Sequence, residues 1–113
     1  MCKYELHCAH FLPRVPAGHK CAQLHGHSYW VEIHVSGPID DKMGWIMDFD
    51  TVDAIFQKEV FSRIDHTNLN TFLPNPTCEL LAIWIGTKLT PHMPGLKAIH
   101  IRETSKVGIV YEL

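Results

Sequence analysis

A thiol and two imidazoles fall within seven residues, Cys21-Ala22-Gln23-Leu24-His25-Gly26-His27. In an extended backbone, residues i and i+2 project from the same face, so His25 and His27 can reach one point. Gly26 between them leaves room for a ligand or for another backbone. The pair is half of a zinc site, and a third ligand has to come from elsewhere in the chain.

Alternation supplies that ligand. From Lys3 to His10 polar and apolar residues roughly alternate, with Tyr4, Leu6 and Cys8 on one face and His10 continuing their row. Ser28 to Ser36 alternates again, with Tyr29, Val31, Ile33 and Val35 as its apolar row. His25 and His27 share that odd parity. His10, His25 and His27 therefore stand at the ends of core-facing rows on two strands expected to pair. Three histidines with an open fourth position are the pattern of a catalytic zinc, whereas a structural site more often recruits cysteines and closes the tetrahedron. The plainer reading is coincidence in a chain holding nine histidines. Parity counts against it, because neutral imidazoles on a core face need polar partners.

A cation beside Cys21 would favour its thiolate, giving a base, a nucleophile or a fourth zinc ligand. Cys2, Cys8 and Cys78 show no Cys-x-x-Cys spacing and read as free thiols packed as small apolar groups. Asp65-His66 reads in two ways, as a helix-end histidine beside a turn aspartate or as an acid–base pair tuned by its carboxylate. Glu103 falls where the strand alternation calls for a core residue. A buried carboxylate needs a cationic or hydrogen-bonding partner, and a ligand with a row of N–H donors would be one. His7, His19, His34, His92 and His100 have no constellation around them and read as solvated.

The elements that must position these groups follow in order. Residues 11–24, with Pro13, Pro16 and Gly18, form a long loop of the kind that is usually functional. After a turn at Gly37-Pro38 and Asp40-Asp41, Asp48 or Asp50 caps a helix whose face is Val52, Ile55, Phe56, Glu59, Val60 and Arg63. Asn75-Pro76-Thr77 starts a second helix with a stripe of Leu80, Leu81, Trp84, Ile85 and Leu89, ended by Pro91. Ala98–Glu103 and Val107–Leu113 are the last strands, the latter with Val107, Ile109, Tyr111 and Leu113 inward. The order ββααββ, with local hairpins at both ends, predicts an α+β fold: a four-stranded antiparallel sheet with both helices on one face.

Composition bounds the function. At 113 residues one domain, 1–113, is expected. Net charge of −2 and no Lys/Arg run argue against a nucleic-acid surface. No apolar run approaches the ~20 residues of a membrane span, and the N-terminus lacks the apolar core of a signal peptide, so a cytoplasmic protein is expected.

Six motifs in order carry a family resemblance: Leu6–His10, Cys21–His27, Gly44–Phe49 (Gly-Trp-Ile-Met-Asp-Phe), Asp65–Asn70 (Asp-His-Thr-Asn-Leu-Asn), Pro76–Glu79 and Glu103-Thr104. Together they resemble the 6-pyruvoyltetrahydropterin synthase superfamily. The three-residue spacer between Cys21 and His25, with Gly18-His19-Lys20 before it, is similar to its bacterial 6-carboxy-5,6,7,8-tetrahydropterin synthase branch. The resemblance implies the tunnelling fold, assembled as a homo-oligomer of trimers stacked into a hexamer. It implies 7,8-dihydroneopterin triphosphate as substrate and Zn2+ on His10, His25 and His27. Cys21 would be the base, His66 and Asp65 its relay, Glu103 the anchor of the pterin, and Thr77 a further substrate contact. Lys20, Arg14, Arg102 and Lys106 are candidates for the triphosphate. The chain departs from the family pattern at His7 and Cys8, and Gly44–Asp65 runs one residue longer than that pattern.

Overall fold

Apolar–polar alternation becomes a four-stranded antiparallel sheet in the computed structural model, which describes residues 1–113. The strands are β1 (Cys2–His10), β2 (His25–Val35), β3 (Leu96–Arg102) and β4 (Gly108–Glu112), in the spatial order β1-β2-β3-β4. The expected terminal hairpins form, and β2 pairs with β3 across the helical insertion. One sheet face is buried: Leu6, Cys8, Tyr29, Val31, Ile33, Ile99 and Ile101 pack with side chains from the helices into one core. The fold is α+β, with the helices on that face.

The first helix starts where an aspartate can satisfy its free N–H groups. Asp48 is the cap and accepts from the Asp50 N–H at 2.9 Å. The α-helical part, α1 (Phe49–Phe56), runs into a π-helical turn (Gln57–Phe61) and a last α-helical turn, α2 (Ser62–Ile64). A π turn closes its hydrogen bond one residue later than an α turn. It thus gives a surplus residue a place between fixed helix ends. Val52, Phe56 and Val60 face the core as the spacing predicts, but Ile55 is only partly buried, Arg63 is exposed, and Ile64 takes the buried place instead. Glu59 is nearly buried as well, held by Arg63 Nη2 at 3.2 Å and by His92 Nε2 at 3.5 Å.

The second long helix, α3 (Cys78–Leu89), is capped by Thr77, whose hydroxyl oxygen accepts from the Leu80 N–H at 3.2 Å. Its buried stripe differs from the one expected. Leu80 is 39% exposed and Trp84 only partly covered, while Cys78, Leu81, Ala82, Ile85, Gly86 and Leu89 face the core. Small residues define that face because the helix lies close to the sheet: a side-chain carbon at Gly86 would come within 3.3 Å of the Tyr111 ring. The last strand also differs, for Val107 lies outside it and is exposed. Its carbonyl instead accepts from the Glu103 N–H at 3.1 Å in the β3–β4 turn. No helix is long and apolar enough to cross a membrane.

Candidate metal centre and its surroundings

Strand register, set by the β1–β2 hairpin, puts His10 directly opposite His25 and Cys8 opposite His27. His27 is two residues from His25 on the same face, so the three imidazoles converge. One ring nitrogen from each lies within 4.8 Å of the other two. His10 is 1% exposed, and the other two are half-buried.

Backbone carbonyls orient the rings. His10 Nδ1 is 2.7 Å from the Pro76 carbonyl oxygen, and His25 Nδ1 is 2.7 Å from that of Gln23. A carbonyl only accepts, so each Nδ1 carries the proton and each Nε2 presents a lone pair. Those two Nε2 atoms face each other at 3.0 Å. Two lone pairs that close repel unless a cation draws them together. Ligand nitrogens around a tetrahedral zinc ion sit about 3.4 Å apart, close to this spacing. Burial holds His10 below the usual histidine range, outweighing the Pro76 carbonyl that pulls the other way. Burial does the same at His27 against the Glu103 carboxylate. Both are thus neutral near pH 7, the form that binds a metal. The donor set therefore fits zinc: three converging imidazoles, two of them oriented by backbone carbonyls, and no thiol in the cluster.

Cys21 sits half-buried in the short 3-10 turn Lys20–Ala22. Its carbonyl accepts from the Leu12 N–H at 2.7 Å, tying together the two ends of the long loop. Its own N–H donates to His19 Nδ1 at 3.0 Å. His19 is exposed, as expected, but its ring also accepts this bond.

Asp65 and His66 pair tightly, His66 Nδ1 lying 2.6 Å from Asp65 Oδ2, while the His66 side chain is 75% exposed. His66 takes a positive φ of 60°, an uncommon conformation for a residue other than glycine. The pair is anchored to β1: Asp65 Oδ1 accepts from the His7 N–H at 2.9 Å, and the His66 N–H donates to the His7 carbonyl at 2.6 Å. His7, expected to be solvated, is therefore the residue on which this segment docks. His27 and His66 line one open cleft with Gly26, Ser28 and Asn68. A side-chain carbon at Gly26 would meet only the Cys8 carbonyl, at 3.7 Å. The room there is open space and not a close backbone approach.

Glu103 follows the end of β3, with its Oε2 3.9 Å from His27 Nε2. It shares a second cavity with Thr77, Leu12, Cys78 and Glu79. Burial, and then the Glu103 charge, push the Cys78 thiol well above its usual range.

Sequence reasoning missed Tyr29, whose hydroxyl lies 3.2 Å from His10 Nδ1 and 3.4 Å from Nε2. Its place in the His25–His27 row was the available signal. It missed the Pro76 and Gln23 carbonyls too, since a backbone carbonyl leaves no mark in residue type. His34 and His100 were expected to be solvated and isolated, yet they stack at 4.1 Å. His92, likewise expected free, reaches Glu59.

Comparison with known proteins bears on the same residues. The sequence model of the family described as 6-pyruvoyl tetrahydropterin synthase matches residues 2–113. A Pyrococcus furiosus protein named dihydroneopterin monophosphate aldolase is 36% identical over 93 residues, covering 80% of this chain and 79% of that one. A Synechocystis protein named 6-carboxy-5,6,7,8-tetrahydropterin synthase is 33% identical over 109 residues, 90% of this chain and 83% of that one. The solved 6-pyruvoyl tetrahydropterin synthase of Caenorhabditis elegans superposes with a TM-score of 0.89 at 24% identity, covering 99% of this chain and 92% of that one. A family match over nearly every residue, with relatives above 30% identity along most of their length, means that this chain belongs to the 6-pyruvoyl tetrahydropterin synthase family.

Proposed function

We propose that the protein is a zinc-dependent carbon–carbon lyase. It converts 7,8-dihydroneopterin triphosphate and one water to 6-carboxy-5,6,7,8-tetrahydropterin, releasing acetaldehyde and triphosphate, in queuosine (7-deazaguanine) biosynthesis. The observation that carries the zinc centre is the facing Nε2 pair of His10 and His25 at 3.0 Å, with both Nδ1 atoms held by carbonyls. The reaction is supported by the three-residue spacer between Cys21 and His25 and by relatives named for it at 31–33% identity.

In this reading His10, His25 and His27 hold the ion, which when bound supplies Lewis-acid polarisation of the substrate's side-chain oxygens. Cys21 accepts the proton from the substrate side chain. His66, hydrogen-bonded to Asp65, passes protons between Cys21 and solvent, and its exposure gives it access to water. Glu103 accepts hydrogen bonds from the pterin N–H groups, with Thr77 beside it in the same cavity. The working form is a cytoplasmic homo-oligomer, trimers stacked into a hexamer.

Replacing Cys21 with Ala is expected to lower turnover by ~10²–10⁴, the usual contribution of a positioned general base, while zinc stays bound at its original stoichiometry. Loss of zinc with the thiol would make Cys21 a ligand instead. Full turnover without the thiol would end its role as the base. Product analysis decides the reaction: acetaldehyde supports it, and a pyruvoyl pterin without acetaldehyde points to the synthase reading. That second reading draws on a Dictyostelium relative, 31% identical, named 6-pyruvoyl tetrahydrobiopterin synthase. Pterin binding with zinc but no product would leave a non-catalytic binding module. The Pyrococcus relative's name makes a monophosphate ester a necessary second substrate in the assay.

A further inference from the structure

The sheet face turned away from the helices carries a second group of metal-ligating side chains. Glu32 and His34 are two residues apart on β2 and project from that face, and His100 on β3 stands directly opposite Glu32. One ligand atom from each lies within 4.8 Å of the other two. His34 Nε2 is 3.3 Å from Glu32 Oε1, and the His34 and His100 rings stack at 4.1 Å, 9° from parallel. All three are half-buried, and Ala98, paired with His34 on the same face, is only 6% exposed.

We propose that Glu32, His34 and His100 form a second site for a divalent transition-metal ion, a two-histidine, one-carboxylate triad with positions left open to water. It is separate from the His10, His25 and His27 centre, which belongs to the opposite face. β2 and β3 are the two central strands; Glu32 is paired on both sides, with Lys3 and with His100, while His34 sits at the register shift next to Val35. Imidazole with carboxylate suits zinc, iron or cobalt, whereas magnesium and calcium prefer all-oxygen sites.

Closing the triad needs a small movement. Ligand atoms around a tetrahedral ion sit about 3.4 Å apart, so a separation of up to 4.8 Å shrinks by at most about 1.4 Å. An imidazole lone pair lies in its ring plane, so the stacked rings must splay toward a shared ion. That motion runs along χ2, a broad torsion for histidine, and is cheap. On the flanking strands His100 faces Val110 on β4, where Glu112 stands opposite Ala98 on the same face, and Lys3 stands opposite Glu32 on β1, but the Glu32 ion pair is with His34.

The test is titration of chelator-stripped protein with Co2+, followed by its visible d–d absorption, and with Zn2+ by calorimetry. Two ions per chain are expected in the unaltered protein. His34→Ala and His100→Ala, each checked for native circular dichroism, are expected to keep one ion. They should lose the second, or weaken it beyond the ~10–100-fold caused by removing an outer-shell partner. His25→Ala is expected to remove the other ion and leave this one, which makes failure here distinguishable from failure of the zinc reading above. A single ion per chain in the unaltered protein, lost in His25→Ala, overturns the proposal. So does retention of two ions at unchanged affinity in either folded variant.

Discussion

His7 supplies a backbone N–H that Asp65 accepts, and the bond decides how this part of the molecule responds to acid. Partial burial raises the Asp65 carboxyl, but the His7 N–H and the His66 ring outweigh it and hold the group below its usual range. A carboxyl whose pKa falls on folding contributes stability above its unfolded value, ~3.9, and loses it as pH drops through the lower folded value. Denaturant midpoints of the native protein should therefore fall below pH ~4 more steeply than those of Asp65→Asn, which has no charge there to lose. Equal slopes would show that the carboxylate is not held by these contacts. At the same scale Cys8 is inert by burial, which pushes its thiol up to about 12, and its Sγ–H donates to the Ile64 carbonyl at 3.2 Å.

Elements meet at the C-terminal end of β1, where His10 must be fixed before the long loop begins. Asn70, from the short 3-10 turn Leu69–Thr71, accepts from the Phe11 N–H at 2.9 Å and donates to the Phe11 carbonyl at 3.0 Å. The Ala9 N–H donates to the Thr67 carbonyl at 2.9 Å. The Asp65–Asn70 motif therefore clamps the end of β1 that carries His10. Asn70→Ala leaves both Phe11 backbone groups without their partner. The expected loss is ~1–3 kcal/mol of stability, read from denaturant midpoints. Zinc should still bind, but more weakly, because the residue next to His10 is loosened. An unchanged midpoint and affinity would remove the clamp from this account.

At the scale of the whole molecule, both β1 and β4 are open edges, and several large apolar side chains are exposed. Phe49 is 72% exposed, and Ile39, Met43, Trp45 and Ile46 beside it in sequence are exposed as well. Open edges and uncovered apolar surface are liabilities that assembly removes. Light scattering behind size exclusion is expected to give a mass that is a multiple of three chains. Phe49→Glu should shift that mass downward while circular dichroism stays native. A monodisperse monomer at micromolar concentration would rule out the trimer-based assembly.

The period-two rows were local, so the sequence alone determined much: the four strands, the shared face of His10, His25 and His27, and the helix starts at Asp48 or Asp50 and at Asn75–Thr77, between which the structure selects Asp48 and Thr77 as the caps. The sequence also marked Glu103 as a carboxylate continuing a core row and needing a partner; that His27 lies 3.9 Å from it was decided by the fold. Tertiary structure decided the rest. Leu80 turned outward because the distance between α3 and the sheet, set by Gly86 against Tyr111, selects which helix face is buried. The Pro76 and Gln23 carbonyls that set the histidine tautomers are chemically alike at every residue, so no sequence pattern marks them. The pairing of β2 with β3, which brings His100 to Glu32 and His34, spans the entire helical insertion. Local periodicity fixes which face a side chain takes, but only the folded chain fixes which distant strand lies beside it.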